Sequence, residues 1–183
     1  MTDLITTDLV RLGADWGADK HDVIRALAGV VDDAGRATSR DQIVQDAFAR
    51  ESNAATGLPG GIAIPHCRTT GVSAPTLVFA RLDPPVDFGA ADGPADLAFL
   101  IAAPTEGDVD HLTILGKLAR ALVKRAFTDA LRSAASAEDV IDVVTHALGV
   151  PAPATTAAPA SGAPSGAANP GGSETTDPPT PAS

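Results

Sequence analysis

An α/β sandwich, with a mixed central β-sheet flanked by helices on both faces, is the fold class this sequence predicts. Three observations carry it. Strand-like and helix-like stretches alternate along the chain. The run Leu97-Ala98-Phe99-Leu100-Ile101 is almost wholly apolar, as expected of a strand covered on both faces, and apolar stripes of helical spacing precede and follow it.

The elements follow in order. Leu4 to Val10 is the first strand candidate. Asp19 to Val31 then places Val23, Ile24, Leu27, Ala28 and Val31 on one helical face, with Gly35 as the stop. Thr38-Ser39-Arg40-Asp41 resembles a helix cap, and Ile43, Val44, Ala47 and Phe48 give the stripe of a second helix ending near Arg50. Ile62 to Pro65, Pro75 to Leu82 and Ala95 to Ala103 read as strands. Asp108 opens a long helix with Leu112, Leu115, Leu118, Ala119, Leu122 and Val123 inward. Ser136-Ala137-Glu138-Asp139 caps a last helix that carries Val140, Ile141, Val143, Val144 and Leu148 and stops at Gly149.

The 183 residues divide into one domain over 1–149 and a Pro/Ala-rich tail or interdomain linker over 150–183. From Pro151 onward the chain is Ala, Pro, Gly, Ser and Thr with one Asn, and Glu174 and Asp177 are its only charges, so no core can form there. All 13 basic residues but only 21 of the 23 acidic ones precede it, which leaves the folded part at −8. That balance lacks the basic footprint a nucleic-acid partner requires. One cysteine excludes an intrachain disulfide, and no Cys/His cluster has zinc-site spacing. The N-terminal residues carry no secretory pattern and no run nears the ~20 apolar residues of a membrane span, so a cytoplasmic location is expected.

The chemistry centres on Gly60-Gly61-Ile62-Ala63-Ile64-Pro65-His66-Cys67-Arg68. Here a short apolar strand is entered through two glycines and stiffened by a proline, and it delivers one histidine on a rigid platform. A neutral imidazole, with an unperturbed pKa of ~6.5, is a nucleophile able to take a phosphoryl group on nitrogen. The spreading charge of such a transfer needs positioned donors, for which Arg50, a second imidazole and the backbone N–H groups near Gly60 and Gly61 are the candidates.

Of the other histidines, His21 and His146 read as surface residues at helix ends. His111 begins a helix after a buried strand, and it reads either as a surface histidine or as a group that holds an anion or orients His66. Arg50 likewise is either a surface residue or a charge stabiliser. Cys67 follows His66 directly; adjacent side chains of an extended chain point apart, which excludes a Cys/His dyad and leaves small packing. Nucleotide fingerprints and a Gly-x-Ser-x-Gly turn are absent from the sequence, so hydride transfer and independent ATP hydrolysis have no support.

The segment Thr56-Gly57-Leu58-Pro59-Gly60-Gly61-Ile62-Ala63-Ile64-Pro65-His66 resembles the phosphorylation site of the enzyme IIA components of the fructose/mannitol class of the bacterial phosphoenolpyruvate-dependent sugar phosphotransferase system. Arg50 with its short linker to Thr56, and His111-Leu112-x-x-Leu115-x-x-Leu118-Ala119, match the same family over about residues 3 to 148. Val86 to Leu97 is most similar to fructose-type members, whereas Cys67 and Pro59 are small departures. The resemblance implies a mixed-sheet α/β sandwich. It also implies that His66 takes phosphate from HPr on its tele nitrogen and passes it to a cysteine of enzyme IIB, with Arg50 stabilising charge and His111 orienting. No cofactor, metal or nucleotide is implied, and the membrane component IIC is reached only through IIB, which places the chain at the inner face of the membrane. The alternative within the resemblance is a nitrogen-type enzyme IIA whose phosphorylation state controls protein partners.

Overall fold

The computed structural model describes residues 3–106 and 111–153. The element order is β1 (Val10–Ala14), α1 (Lys20–Asp33), α2 (Arg40–Asn53), β2 (Gly57–Leu58), β3 (Ile62–Ala63), β4 (His66–Thr69), β5 (Thr76–Val86), β6 (Ala95–Pro104), α3 (His111–Leu122), α4 (Arg125–Ser133) and α5 (Ala137–Leu148).

The sheet is mixed and runs β1-β5-β6-β3-β2, with β4 also on β6. Strand β6 is its centre: antiparallel to β5 on one edge and parallel to β3 and β4 on the other. Residues at consecutive positions, Leu77 to Ala80 in β5 and Leu97 to Ala102 in β6, are all buried, so both faces of the sheet are covered. Each large apolar side chain buried this way stabilises the fold by about 1.5–3 kcal/mol. Phe79 and Phe99 face each other across the strands at 5.0 Å between ring centroids. The expected sandwich is thus the fold observed.

Helix ends follow the local chemistry. Asp19 and Ser39 accept from the backbone N–H groups of His21 and Gln42. Ser136 and Asp139 form a reciprocal capping box, and Gly149 closes α5 with φ 62° in the left-handed region.

Several boundaries depart from expectation. Leu4 to Val10 is not a strand: Thr7–Leu9 forms a 3₁₀ turn, and β1 begins at Val10, beside Phe79. Strand β5 runs past Leu82 to Val86. Helix α2 continues past Arg50 to Asn53. The long helix expected from Asp108 is α3 from His111, followed after a break by α4, which the sequence reading missed; residues 107–110 lie outside the described residues, as does the tail from 154. Leu112 and Val123 point outward, 76% and 87% exposed, because Leu112 sits in the first turn of α3 and Val123 in the turn after it.

The strand expected at Ile62 to Pro65 is instead two short strands. Pro65 has no N–H to give a ladder, so β3 stops at Ala63 and β4 resumes at His66. The register does not slip across the break, since Ala63 lies beside Ala98 and His66 beside Ile101. Upstream, the Gly60–Gly61 turn takes φ values of 94° and 75°. A Cβ on Gly61 would stand 2.6 Å from Asp96 Oδ1 and 2.9 Å from Arg132 Nη2, two atoms themselves 2.7 Å apart in a hydrogen bond. Replacing Gly61 by alanine is expected to cost about 2 kcal/mol in denaturant unfolding, from the left-handed backbone and the displaced ion pair together.

Candidate functional site

Helix α2 and strand β4 bring together two residues that are far apart in sequence. Arg50, in the last turns of α2, donates from Nε to Nε2 of His66 at 3.0 Å. On the opposite side of the ring, Nδ1 lies 2.8 Å from the carbonyl oxygen of Ile64. A carbonyl can only accept, so Nδ1 carries the proton and Nε2 keeps its lone pair. That lone pair faces Arg50.

His66 is half-buried. Burial holds its pKa below the usual histidine value of 6.5; the Ile64 hydrogen bond opposes this, the Arg50 charge adds to it and the Glu51 charge opposes it. The ring is therefore neutral at neutral pH. Asp46, Arg50, His66, Arg68, Leu112 and Leu115 line an open cleft of about 390 Å³. Arg68 donates to the carbonyl of Thr105 at 2.9 Å, which steadies the end of β6 beside the cleft. Two larger grooves, of about 480 and 720 Å³, do not include His66, so the smaller cleft that holds the His66–Arg50 pair is the candidate site.

The other candidates are sorted by the same geometry. His111 opens α3 one residue before Leu112, and its side chain lies outside the described residues. Cys67 is buried, with Sγ 3.9 Å from the carbonyl of Ile43, and burial pushes its thiol up to about 12, so it is packing rather than a nucleophile. His21 hydrogen-bonds Asp19 and sets its ring edge against Phe48, while His146 stays exposed on α5. The Gly60–Gly61 turn is not among the residues lining the cleft. Its Gly60 N–H is given to Asp92 at 2.7 Å and its Gly60 carbonyl accepts from Arg132, so the turn braces the strand rather than offering Gly60 as an anion donor.

Glu51 was not found by sequence reasoning. It is 4% exposed, and it continues the buried stripe Ile43–Ala47–Glu51 at four-residue spacing, a signal the sequence does contain. Lys20 Nζ at 3.1 Å, the Thr56 N–H at 3.3 Å and the Thr56 hydroxyl at 2.5 Å all donate to its carboxylate.

Residues 3–147 match the family model described as the phosphoenolpyruvate-dependent sugar phosphotransferase system, EIIA 2. The chain belongs to this family. It is 40% identical over 132 residues to the fructose-specific EIIA component of Haloferax volcanii, covering 72% of this chain and 86% of that one. It is also 37% identical over 129 residues to a nitrogen regulatory protein of Pseudomonas aeruginosa, covering 70% and 84%. Among solved structures, nitrogen regulatory protein IIA-Ntr from Neisseria meningitidis superposes with a TM-score of 0.71 at 30% identity, over 78% of this chain and 97% of that one. The mannitol enzyme IIA of Escherichia coli, solved in complex with phosphorylated mannitol enzyme IIB, shares the fold at a TM-score of 0.66 and 23% identity, covering 78% and 97%.

Among the described residues no helix is long and apolar enough to cross a membrane. Titrating His66 by NMR is expected to place its midpoint below 6.5. Because protonation occupies Nε2, nucleophilic reactivity is then full above that midpoint and is lost as the pH falls through it; a midpoint above 6.5 would contradict the burial argument.

Proposed function

We infer that this enzyme IIA chain is a phosphoryl carrier, accepting phosphate from a phosphohistidine of HPr on Nε2 of His66 and passing it to a cysteine of enzyme IIB during sugar uptake, with fructose as the sugar. The observation that supports this reading is the ring's tautomer: Nδ1–H is committed to Ile64, so the lone pair is on Nε2, the nitrogen that faces Arg50.

The transfer balances without a proton. The Nε2 lone pair forms a bond to phosphorus as the bond from phosphorus to the donor nitrogen breaks, and that nitrogen keeps the electron pair. Nδ1–H stays on the Ile64 carbonyl throughout. Arg50, already 3.0 Å from Nε2, needs only a small turn to set its guanidinium against the phosphoryl oxygens. His111 is assigned the orienting contact from the start of α3. In the second step the IIB thiolate attacks phosphorus and the bonding pair returns to Nε2.

The reading agrees with the fructose-specific relative and, for the IIB partner, with the mannitol complex. The Pro/Ala-rich composition of 150–183 is that of an interdomain linker, and a linker to a domain carrying the next acceptor would hold that carrier at roughly millimolar effective concentration. A second reading, regulation of protein partners by phosphorylation state, is favoured by the nitrogen regulatory relatives. Onward transfer decides between them: label that moves from this chain to a fructose-type IIB supports uptake, and label that stays supports regulation.

Incubation with labelled phosphoenolpyruvate, enzyme I and HPr is expected to give one acid-labile phosphate per chain, absent from His66→Ala; retention of the label by that variant would overturn the assignment. Arg50→Ala is expected to keep the site of labelling but slow its formation about a hundredfold, as measured by rapid quench.

A further inference from the structure

Both ring nitrogens of His66 are tied to adjacent residues of α2, and the two ties differ. Arg50 reaches Nε2 directly. The tie to Nδ1 runs through backbone. Glu51 takes both the N–H and the hydroxyl of Thr56; the Thr56 carbonyl accepts the N–H of Ile64 at 3.0 Å; the Ile64 carbonyl takes the proton of Nδ1 at 2.8 Å. Glu51, Thr56 and Ile64 are exposed by 4%, 5% and 5%, so water does not compete along this path.

A carboxylate in this position is costly. Burying its charge carries a penalty of several kcal/mol, which Lys20 at 3.1 Å and the two Thr56 donors offset. An apolar residue would continue the Ile43–Ala47 stripe without that penalty, but it could not hold Thr56. The Arg50 guanidinium also bonds the Ala54 carbonyl at 3.3 Å, so the loop from 54 to 56 is pinned by the same two neighbours that address the ring.

We propose that Glu51 is a positioning residue for His66, which acts through Thr56 and the Ile64 carbonyl to keep the proton on Nδ1 and the lone pair on Nε2. The inference rests on the phosphocarrier reading for its purpose but not for its test. Glu51 touches neither His66 nor the phosphoryl group in this scheme. Without it, Thr56 and then Ile64 lose their fixed place, the ring samples both neutral tautomers, and the fraction with an unprotonated Nε2 falls.

The test reads the two ring nitrogens of unphosphorylated His66 by long-range proton–nitrogen NMR in the full chain. Wild type is expected to show a protonated Nδ1 and an unprotonated Nε2. In Glu51→Ala the two shifts are expected to move toward each other, with phosphoryl acceptance slowed about tenfold. Glu51→Gln, which keeps an oxygen for the Thr56 N–H while the hydroxyl rotates to accept from the amide, is expected to recover the wild-type shifts and most of the rate. Thr56→Val leaves Glu51 in place and removes the 2.5 Å bond, so it is expected to shift the ring in the same direction as Glu51→Ala and serves if that variant does not fold.

Wild-type ring shifts in folded Glu51→Ala, or in Thr56→Val where that variant serves, would overturn the proposal. A Gln variant as displaced as the Ala variant would also overturn it, because the effect would then belong to charge and not to the hydrogen-bonded path. A wild-type chain that takes no phosphate at all would overturn the carrier reading alone, since the ring shifts are measured without phosphate.

Discussion

The hydrogen bond from Nδ1 of His66 to the carbonyl of Ile64 is the constraint on which the site depends. It turns a side chain with two neutral tautomers into a ring with one proton position, on Nδ1, and one lone pair, on Nε2. Ile64 is itself held from upstream, its N–H given to the Thr56 carbonyl at 3.0 Å. The proline that follows Ile64 interrupts the ladder without shifting its register, and β6 fixes the strand on either side of the interruption.

The sheet and helix α2 contribute rigidity of different kinds. The centre of the sheet is buried on both faces, so the position of His66 beside Ile101 is set by a core that cannot yield locally. Helix α2 supplies polar groups instead. Its last turns carry two neighbouring residues with different targets, Arg50 outward to His66 and the cleft and Glu51 inward to Thr56 of the loop. Such preorganisation matters for phosphoryl transfer, because the protein supplies position and charge rather than covalent chemistry.

The fold and half of the site were legible in the sequence for identifiable reasons. The apolar run of β6 and the helical stripes carry periodicity, and periodicity survives without coordinates. His66 stood out because glycines and a proline flank it. Arg50 was legible as a charge at a helix end, but its contact with His66 depends on how α2 crosses β4, which no local pattern states. Glu51 was missed because an acidic residue in a helix ordinarily marks the solvent face, and only tertiary packing turns that position inward. Helix α4 was missed because its stripe of Phe127, Thr128 and Leu131 is short, and the break at Val123 and Lys124 carries neither glycine nor proline. The Gly60–Gly61 turn was misread for a related reason: a pair of glycines signals close approach, and here what approaches is the Asp96–Arg132 ion pair and not an anion.

The relatives in this family include a fructose-specific component and nitrogen regulatory proteins, and both the uptake reading and the regulatory reading proposed for this chain call on the same nitrogen of His66. That nitrogen is the point at which geometry commits itself, since Ile64 withholds Nδ1 and Arg50 marks Nε2. The most direct measurement is therefore phosphorus–nitrogen coupling in the phosphorylated, nitrogen-15-labelled chain. Coupling to Nε2 of His66, with Nδ1 still protonated, is the result the structure predicts; coupling to Nδ1, or to any other residue, would contradict it.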